Sequence, residues 1–588
     1  MNRAEQAKVN REIIGLKNYA KSTANPVLHS ANSDEQDYTE SYCMNFTKGL
    51  IHDADTGLVA DTNHYKAFVA AIDSGEIAPF HALPIGTAID NNRVWESPTA
   101  GYVFDTQGPD AQSVTMPPAP ALGSDELTFE MAEVYELAIL RDEPFSHFRD
   151  DDADNQNVQE SCDRLNGLPY LQGEFVRRPR RYNNENQTLT PGSVFRGVTP
   201  GAEVGPYLSC FMLMGGGYDA ASVKSGIIPF GAQQISQRVP IAVKQDFMTT
   251  FEEFVKVQNG EKRNNKPKSG SKFYELNGDK SVKYRFIRTP RDMATYVHID
   301  ALYQAYLNAC LILLSQKDAE GIGLAPFDPL FAELSGEADG SKAGGFALFG
   351  APHILSLVTE VATRALKAVR FQKFNTHRRL RPEALAARIA KAGAPEFVTT
   401  VKATANGHFE AMKNALEKTL GRLADSQGDA YEKGLLPMAF AEGSPMHPSY
   451  GAGHATVAGA CVTILKAFFD TSTVLKRFDQ NGKTVVGFVD DKHSGENVEI
   501  VDSDEGKKLE IKQATLPLTL EGELNKLAAN IAIGRDMGGV HYYVDYYDSL
   551  LMGEEVAIGM LQDQAQCYPK DAFVMSLTKF DGTSIIVS

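Results

Sequence analysis

The chain has 588 residues, of which 43% are hydrophobic and 23% are charged, a composition typical of a globular protein with a large core. Its formal net charge of −17 disfavours nucleic acid and anionic membranes as partners, because the mean field of the protein repels phosphate groups. No secretory signal is visible and no stretch reaches the ~18 apolar residues of a membrane span, so we expect a soluble protein, cytoplasmic or exported by an unseen route.

Residues 1–120 are rich in Pro, Gly, Asn and Asp and contain only short apolar pieces. This composition predicts an extended N-terminal arm with one helix near residues 65–74. From Ser124 the stretch SDELTFEMAEVYELAILRD combines an N-cap serine, acidic residues in the first turn and apolar residues at helical spacing. We therefore expect a helical domain over residues 121–588, which also carries the candidate functional residues described below.

Long helical patterns dominate this second part. One long pattern begins at Thr289-Pro290 and continues to about residue 316, and another, HILSLVTEVATRALKAVRFQKF, follows a glycine-rich stretch. Arg381-Pro382 marks the next helix start, and Gly538-Gly539 interrupts the last long pattern. Helices of this length with apolar stripes usually pack as bundles, so the predicted fold class is mainly α with small β-hairpins.

Two segments read as hairpins. Residues 472–515 contain two strand-like stretches around Asn481-Gly482, followed by an acidic loop, and the C-terminus contains a second pair around Asp581-Gly582.

The six cysteines form no C-x-x-C pair, which argues against a zinc or thioredoxin-type site. Cys43 and Cys162 fall in polar, loop-like surroundings and could pair with each other or across an interface.

The stretch HPSYGAGH is the first candidate for chemistry. Its Gly-Ala-Gly break precedes an apolar run, so Gly453 and His454 should occupy the first turn of a helix. Free N–H groups and the positive end of the helix dipole make such a turn an anion site. The small residues that follow allow the helix to approach its neighbours closely.

The stretch GRDMGGVHYYVD is the second candidate. His541 and Asp545 are four residues apart, so the carboxylate can bind one imidazole nitrogen and direct the other. The break at Gly538-Gly539 can turn Arg535 and His541 toward the same side. An imidazole held in this way is a metal ligand or a nucleophile.

Three cations accompany these histidines: Lys373 and Arg381 in KFNTHRRLRP, and Arg535. Each alone would usually be a solvated side chain, but three of them around a helix N-terminus predict a pocket for a small tetrahedral oxyanion. Asp300, in YVHIDALY, is a plausible buried partner for one of these cations, or an ordinary acidic residue on a helix surface.

The combined pattern, K-x7-RP, H-P-S-Y-x-x-G-H and R-x5-H-x3-D, resembles that of the vanadium-dependent bromoperoxidases of algae and their cyanobacterial relatives. The longer stretches EGSPMHPSYGAGHATVAGA and RFQKFNTHRRLRPEALAAR are similar as well, and the resemblance extends over most of the chain from about residue 40. It implies two four-helix bundles of the haloperoxidase/acid phosphatase type, with the vanadate-binding bundle at about residues 350–565. It also implies homo-oligomers, from dimer to dodecamer.

The resemblance implies that vanadate, with vanadium as V5+, is the cofactor. His541 would bond vanadium and Asp545 would orient it, while His454 would serve as the acid–base histidine and Lys373 would assist peroxide activation. His447 would take part in catalysis and, with Arg370, would tune the choice of halide. The remaining contacts to the vanadate oxygens would come from the following groups: Lys373, Arg381, Gly453, His454 and Arg535.

The implied reaction is oxidation of bromide and iodide, and weakly chloride, by hydrogen peroxide to hypohalous acid, which halogenates small organic nucleophiles. Phosphate is expected to occupy the site when vanadate is absent. Ala452 stands where the family usually has a serine whose hydroxyl bonds the anion. Since a neutral hydrogen bond contributes only ~0.5 to 1.5 kcal/mol net, we expect weaker binding but a functional site.

Two other functions remain open at this point. An acid phosphatase of the type 2 phosphatidic acid phosphatase group shares such an oxyanion pocket, with His541 attacking phosphorus and His454 protonating the leaving group. A non-catalytic assembly or storage protein could simply hold phosphate, although it would need neither His454 nor the His541–Asp545 pair.

Overall fold

The computed structural model describes residues 2–24, 27–88, 91–172, 188–263, 275–276, 279–316, 327–336, 340–568, 570 and 574–588. The α-helices in this part of the chain are Arg3–Ala24, Asp34–Asp37, Thr62–Asp73, Asp125–Ile139, Gln156–Asn166, Pro169–Gln172, Ala220–Ser225, Phe251–Gln258, Pro290–Ile299, Gln304–Ser315, Ala332–Ser335, Ala351–Phe371, Pro382–Lys391, Pro395–Val398, Ala403–Ala415, Glu417–Gln427, Gly453–Phe468, Leu520–Met537 and Tyr543–Ala565. The strands are Ile227–Phe230, Gln233–Ser236, Val239–Pro240, Glu275–Leu276, Asp279–Val282, Tyr284–Arg285, Val474–Gln480, Lys483–Val489, Glu496–Ser503, Lys508–Gln513, Met575–Thr578 and Ser584–Val587. The predicted mainly α fold is therefore confirmed.

The central helix of the core is Gly453–Phe468, which packs against Ala351–Phe371, Leu520–Met537 and Tyr543–Ala565. Its contact with Tyr543–Ala565 is made backbone to backbone. A Cβ atom at Gly459 would overlap the carbonyl oxygen of Leu550, and one at Gly553 would overlap that of Thr456. The small residues after the Gly-Ala-Gly break thus allow the close packing that their pattern predicted.

A second group of helices lies beside this core, formed by Asp125–Ile139, Pro382–Lys391, Ala403–Ala415 and Glu417–Gln427. Asp125–Ile139 also packs against Leu520–Met537. Its start is the predicted one, since the Ser124 side chain accepts a hydrogen bond from the amide of Leu127.

The predicted helix from Thr289 to about residue 316 is wrong in one respect. It begins as expected, with Thr289 as N-cap and Pro290 in the first turn, but it ends at Ile299 and a second helix, Gln304–Ser315, follows at an angle of 97°. Asp300 lies at the break with extended backbone angles. The apolar spacing continues across the break, so the pattern alone does not reveal it.

The insertion at residues 472–515 is a four-stranded antiparallel sheet rather than a single hairpin. The hairpin around Asn481-Gly482 is confirmed, with positive φ at both turn residues, as a type I′ turn requires. The predicted acidic loop is wrong, because it contains the strands Glu496–Ser503 and Lys508–Gln513, which pair with each other. The C-terminal hairpin around Asp581-Gly582 is confirmed.

The N-terminal arm contains more helix than its composition predicts. The helix near residues 65–74 is present as Thr62–Asp73, but Arg3–Ala24 is a second, longer one. Aromatic residues of the arm form a small core of their own that includes Phe374. The arm is therefore attached next to the segment that carries Lys373.

The suggested pairing of Cys43 with Cys162 is wrong. Both residues are buried and both thiols are free. Cys162 lies in the helix Gln156–Asn166, whose apolar face buries it, so its polar sequence neighbours are on the other side.

Among the described residues, no single helix is both long and apolar enough to cross a membrane. The bent pair Pro290–Ile299 and Gln304–Ser315 meets the length and composition criteria only when its two helices are taken together.

Candidate active site

One cavity of about 350 Å³ lies at the N-terminal end of the Gly453–Phe468 helix. Seven of the residues singled out from the sequence line it: Asp300, Arg370, His447, Gly453, His454, Arg535 and His541. Lys373, Arg381 and Asp545 contact these lining residues or their chain neighbours from behind. The three motifs, which are far apart in the sequence, therefore meet at one place.

Lys373 lies in a π-helical turn, Gln372–His377, that continues the helix Ala351–Phe371. Its ammonium group is buried and donates to the carbonyl oxygens of Pro448 and Ser449, both at 2.8 Å. These bonds attach the first motif directly to the second.

Arg381, the N-cap of Pro382–Lys391, connects all three motifs. Its guanidinium donates to the carbonyl oxygens of His447, at 2.9 Å, and Val540, at 2.6 Å. It also contacts two ring nitrogens, Nε2 of His541 at 2.9 Å and Nδ1 of His447 at 2.7 Å. Because a guanidinium can only donate, both nitrogens accept from Arg381, and the longer contact of His447 Nδ1 with the carbonyl oxygen of Pro448, at 3.2 Å, is then not a hydrogen bond.

His541 is held from its other side by Asp545, with 2.7 Å between Nδ1 and Oδ2. Burial, reinforced by the charge of Arg381, lowers the pKa of His541 well below its ordinary value, so the imidazole is neutral. The proton therefore lies on Nδ1, and Nε2 carries the lone pair that a metal ion would use.

Asp545 is itself fixed by several donors. Its carboxylate accepts from the Ser449 hydroxyl at 2.5 Å and from Arg379 at 3.2 Å. Burial alone would raise its pKa, but the hydrogen bond to His541 and the charge of Arg379 hold the pKa below its usual range. Arg379 also binds Glu130, at 2.9 Å, and lies 4.0 Å from the ring centre of Tyr542.

His454 binds Asp300, with 3.1 Å between Nε2 and Oδ1. Burial lowers the pKa of His454, Asp300 opposes that shift, and Arg535 reinforces it. Burial would raise the pKa of Asp300, but the charge and hydrogen bond of His454 lower it, so the carboxylate is ionised and accepts the bond. Nδ1 of His454 remains as the basic nitrogen.

Four buried basic side chains lie at the cavity or directly behind it. Burial lowers the pKa of Arg370 to about 10, that of Arg381 to about 9, and that of Lys373 well below its ordinary value. Burial also lowers the pKa of Arg535. Nε and Nη1 of Arg370 and Nε of Arg535 have no hydrogen-bond partner among the described residues, and no side chain caps the helix that begins at Gly453.

These unsatisfied donors indicate the kind of ligand that fits. Buried N–H groups without a partner are costly, and a tetrahedral oxyanion would satisfy them and offset the repulsion among the cations. The neutral imidazole of His541, whose Nε2 lone pair now accepts from Arg381, adds a ligand for a metal atom at the centre of that anion. The residues present therefore fit vanadate, and they fit phosphate by shape.

Several residues at the cavity were not singled out from the sequence, among them Glu96, His298 and Glu442. Glu96 belongs to the N-terminal arm, and no local pattern connects it with the motifs. The sequence left Asp300 open as a buried partner of a cation or an acidic residue on a helix surface. It is buried, its hydrogen bond goes to His454, and its charge raises the pKa of Arg535.

Comparison with known proteins gives a consistent result. Residues 395–568 match the model of the VCPO second helical-bundle domain. The chain is 43% identical to the vanadium-dependent bromoperoxidases of Corallina pilulifera and Corallina officinalis, over 94% of this chain and 92% of each relative. The homohexameric structure of the second vanadate-dependent bromoperoxidase of Ascophyllum nodosum superimposes with a TM-score of 0.77 over 100% of this chain and 90% of that one. At 24% sequence identity, this last similarity concerns the fold.

Proposed function

The chain belongs to the vanadium-dependent bromoperoxidases, and on this premise we propose that the cavity at the Gly453 helix is the vanadate site, where hydrogen peroxide oxidises bromide to hypobromous acid. The protein is an enzyme, a vanadium-dependent haloperoxidase. The relatives do not favour the phosphatase alternative. The observation that carries the proposed site is the cluster of four buried cations around one neutral imidazole.

In the proposed site His541 is the ligand to vanadium. Asp545 keeps the proton on Nδ1, so Nε2 offers its lone pair. Arg381 donates to that same nitrogen at 2.9 Å and must give up this hydrogen bond when the ligand is bound. The oxygens of the anion would be held by Lys373, Arg381, Arg535 and the amide of Gly453.

Vanadate, when bound, supplies a Lewis-acidic V5+ centre for the activation of hydrogen peroxide. The chain contributes charge and proton transfer. Lys373 and the arginines stabilise negative charge in a buried environment, where such interactions are stronger than in water. His454, with Nε2–H donated to Asp300, can accept a proton from hydrogen peroxide on Nδ1 and return it later.

We place the halide on the side of the cavity formed by Arg370 and His447. Arg370 has two buried N–H groups without partners among the described residues, and His447 carries its proton on Nε2 because Nδ1 accepts from Arg381. A cation and a neutral N–H donor suit large, weakly hydrated anions, so we expect bromide and iodide to react well and chloride weakly. The hypohalous acid then halogenates small organic nucleophiles.

The decisive experiment is a titration of vanadate into metal-free protein while peroxide-dependent bromination of an activated diketone is followed. We expect activity to rise to saturation with vanadate and to fall with excess phosphate, which competes by shape. His541→Ala should lose both vanadate binding and turnover, whereas His454→Ala should keep anion binding and lose turnover. Fast hydrolysis of an aryl phosphate with no response to vanadate, peroxide and bromide would refute the proposal.

We also expect the enzyme to form a homo-oligomer, between a dimer and a dodecamer. The relative from Ascophyllum nodosum is described as homohexameric. Light scattering of the purified protein tests this expectation directly.

A further inference from the structure

A carboxylate from the N-terminal arm lies at the edge of the cavity. Oε2 of Glu96 is 3.7 Å from Nη2 of Arg370 and 3.6 Å from Nε2 of His447. The backbone amide of Glu96 donates to the carbonyl oxygen of Met446 at 3.1 Å, and the amide of Met446 donates to Oε1 of Glu96 at 3.4 Å. The arm is thus fixed to the segment that carries His447.

Glu96 lies beside both donors but does not form a short hydrogen bond with either of them. Its side chain is 42% exposed, whereas those of Arg370 and His447 are each 8% exposed. An anion that enters the cavity can therefore take these donors while the carboxylate moves toward solvent.

The charge of Glu96 acts on all four cations of the site. Burial lowers the pKa of Arg370, and Glu96 is the carboxylate that opposes this shift. Glu96 also raises the pKa values of Lys373, Arg381 and Arg535, together with other carboxylates, and so opposes the lowering of these pKa values by burial. It therefore reduces the positive potential that an incoming halide meets.

We propose that Glu96 is an internal counter-anion that competes with the incoming halide for Arg370 and His447, and so sets the halide affinity of the enzyme. This inference rests on the proposed function, because it concerns the halide of that reaction. In the resting site the carboxylate partly neutralises Arg370. When a halide binds, the two negative charges repel each other and Glu96 turns outward.

The test is Glu96→Gln, which removes the charge while keeping the size of the side chain and an oxygen that can accept from the Met446 amide. We expect the KM for bromide to fall about 1.5- to fivefold, as for the loss of one half-exposed charge contact. Because Glu96 has no role in peroxide activation, kcat should change by less than about twofold. Glu96→Asp keeps the charge and should restore a KM close to that of the natural chain.

Glu442→Gln is the matched control. It removes the same charge from the same cavity, but Glu442 is bound to His298, with 2.6 Å between Oε1 and Nε2. Its effect on the KM for bromide should be clearly smaller. An equal effect of the two glutamine variants on the KM for bromide would overturn the proposal, because halide affinity would then depend on the net charge of the cavity and not on the position of Glu96.

A binding measurement without turnover separates this inference from the proposed function. Metal-free protein is titrated calorimetrically with sodium bromide and, separately, with inorganic phosphate. Glu96→Gln should bind both anions more tightly, with the greater change for bromide. Unchanged bromide affinity in Glu96→Gln would refute the role of Glu96 even if the enzyme oxidises bromide, whereas absence of vanadate-dependent oxidation in the natural chain would refute the proposed function.

Discussion

His454 and Asp300 are 154 positions apart in the chain, yet Nε2 of the histidine lies 3.1 Å from Oδ1 of the aspartate. The contact exists because the helix that begins at Pro290 ends at Ile299 and its backbone turns away at Asp300. The break therefore serves the site, since it brings a carboxylate to the first turn of the Gly453–Phe468 helix.

Asp300→Asn should move the acidic limb of the kcat profile to lower pH. Burial and Arg535 lower the pKa of His454, and Asp300 is the group that opposes them. Without the carboxylate the pKa falls further, so the neutral, basic form of His454 persists in more acidic solution. We expect kcat at its optimum to drop by about tenfold or less, which is below the ~10²- to 10⁴-fold contribution of acid–base catalysis itself, because the variant keeps His454.

The measurement is kcat for bromide between pH 4 and 8, in the natural chain and the variant. A limb that stays in place, or moves to higher pH, would show that His454 is not the titrating base.

The sequence predicts those features that are encoded locally. Helix starts at Ser124, Thr289 and Arg381 follow from cap residues and proline, and the Asn481-Gly482 turn follows from its need for positive φ. The break at Asp300 is not predictable in this way, because apolar residues continue at helical spacing on both sides and tertiary contacts decide where the helix ends.

The same distinction between local and tertiary signals applies to the residues of the site. His541 and Asp545 are one helical turn apart, so their contact is implied by their spacing. Glu96, by contrast, reaches Arg370 and His447 only through the packing of the N-terminal arm, and a contact between such distant segments leaves no local signal. The strands Glu496–Ser503 and Lys508–Gln513 are not predictable from a local pattern, because charged residues interrupt both and the first of them buries three successive residues instead of alternate ones.

Asp545→Asn should weaken the binding of vanadate to the metal-free protein by about 10- to 100-fold, as is usual when the carboxylate behind a metal-ligating histidine is changed. The reason is that Asp545 fixes the tautomer and orientation of His541. Asp548→Asn is a suitable control, since it removes the same charge from the same helix. In the natural chain, Asp548 accepts a hydrogen bond from the hydroxyl of Tyr450 at 2.6 Å. Equal vanadate affinities for the two variants would contradict the role of Asp545.

Ala452→Ser should increase the affinity for vanadate and phosphate. Ala452 is the N-cap of the Gly453–Phe468 helix, and no side chain caps that helix in this protein. A serine hydroxyl there adds one donor for the anion, which corresponds to ~0.5 to 1.5 kcal/mol, or an affinity gain of up to about tenfold. Calorimetric titration with phosphate measures it, and Ala452→Gly, which adds no donor, should show no gain.

His377→Phe should make the protein less sensitive to acid. Burial lowers the pKa of His377 to about 3, and neither ring nitrogen has a hydrogen-bond partner among the described residues. Below about pH 6.5 the unfolded chain binds a proton at this residue that the folded chain does not, so stability falls as the pH falls. The loss amounts to ~1.3 kcal/mol between pH 7 and 5.5, and the variant should not show it.

Urea unfolding at pH 7 and at pH 5.5 provides the comparison. His81→Phe, at an exposed histidine, serves as the control. If His377→Phe loses as much stability on acidification as the natural chain does, the proton is taken up elsewhere.

Gly459→Ala should destabilise the protein by several kcal/mol, at or above the upper end of the ~1 to 3 kcal/mol typical of overpacked cores. A Cβ atom at this position would overlap the carbonyl oxygen of Leu550, a backbone atom that cannot move aside as a side chain can. Gly421→Ala is the matched control, because Gly421 lies inside the helix Glu417–Gln427 and a Cβ there meets nothing within 4 Å. The control should be stabilised by ~0.4 to 1 kcal/mol through its higher helix propensity. Gly459→Ala should also bind phosphate more weakly, because separating the Gly453–Phe468 and Tyr543–Ala565 helices moves the amide of Gly453 away from His541. If the two alanine variants have equal effects on stability and on phosphate binding, the close contact between these helices does not position the site.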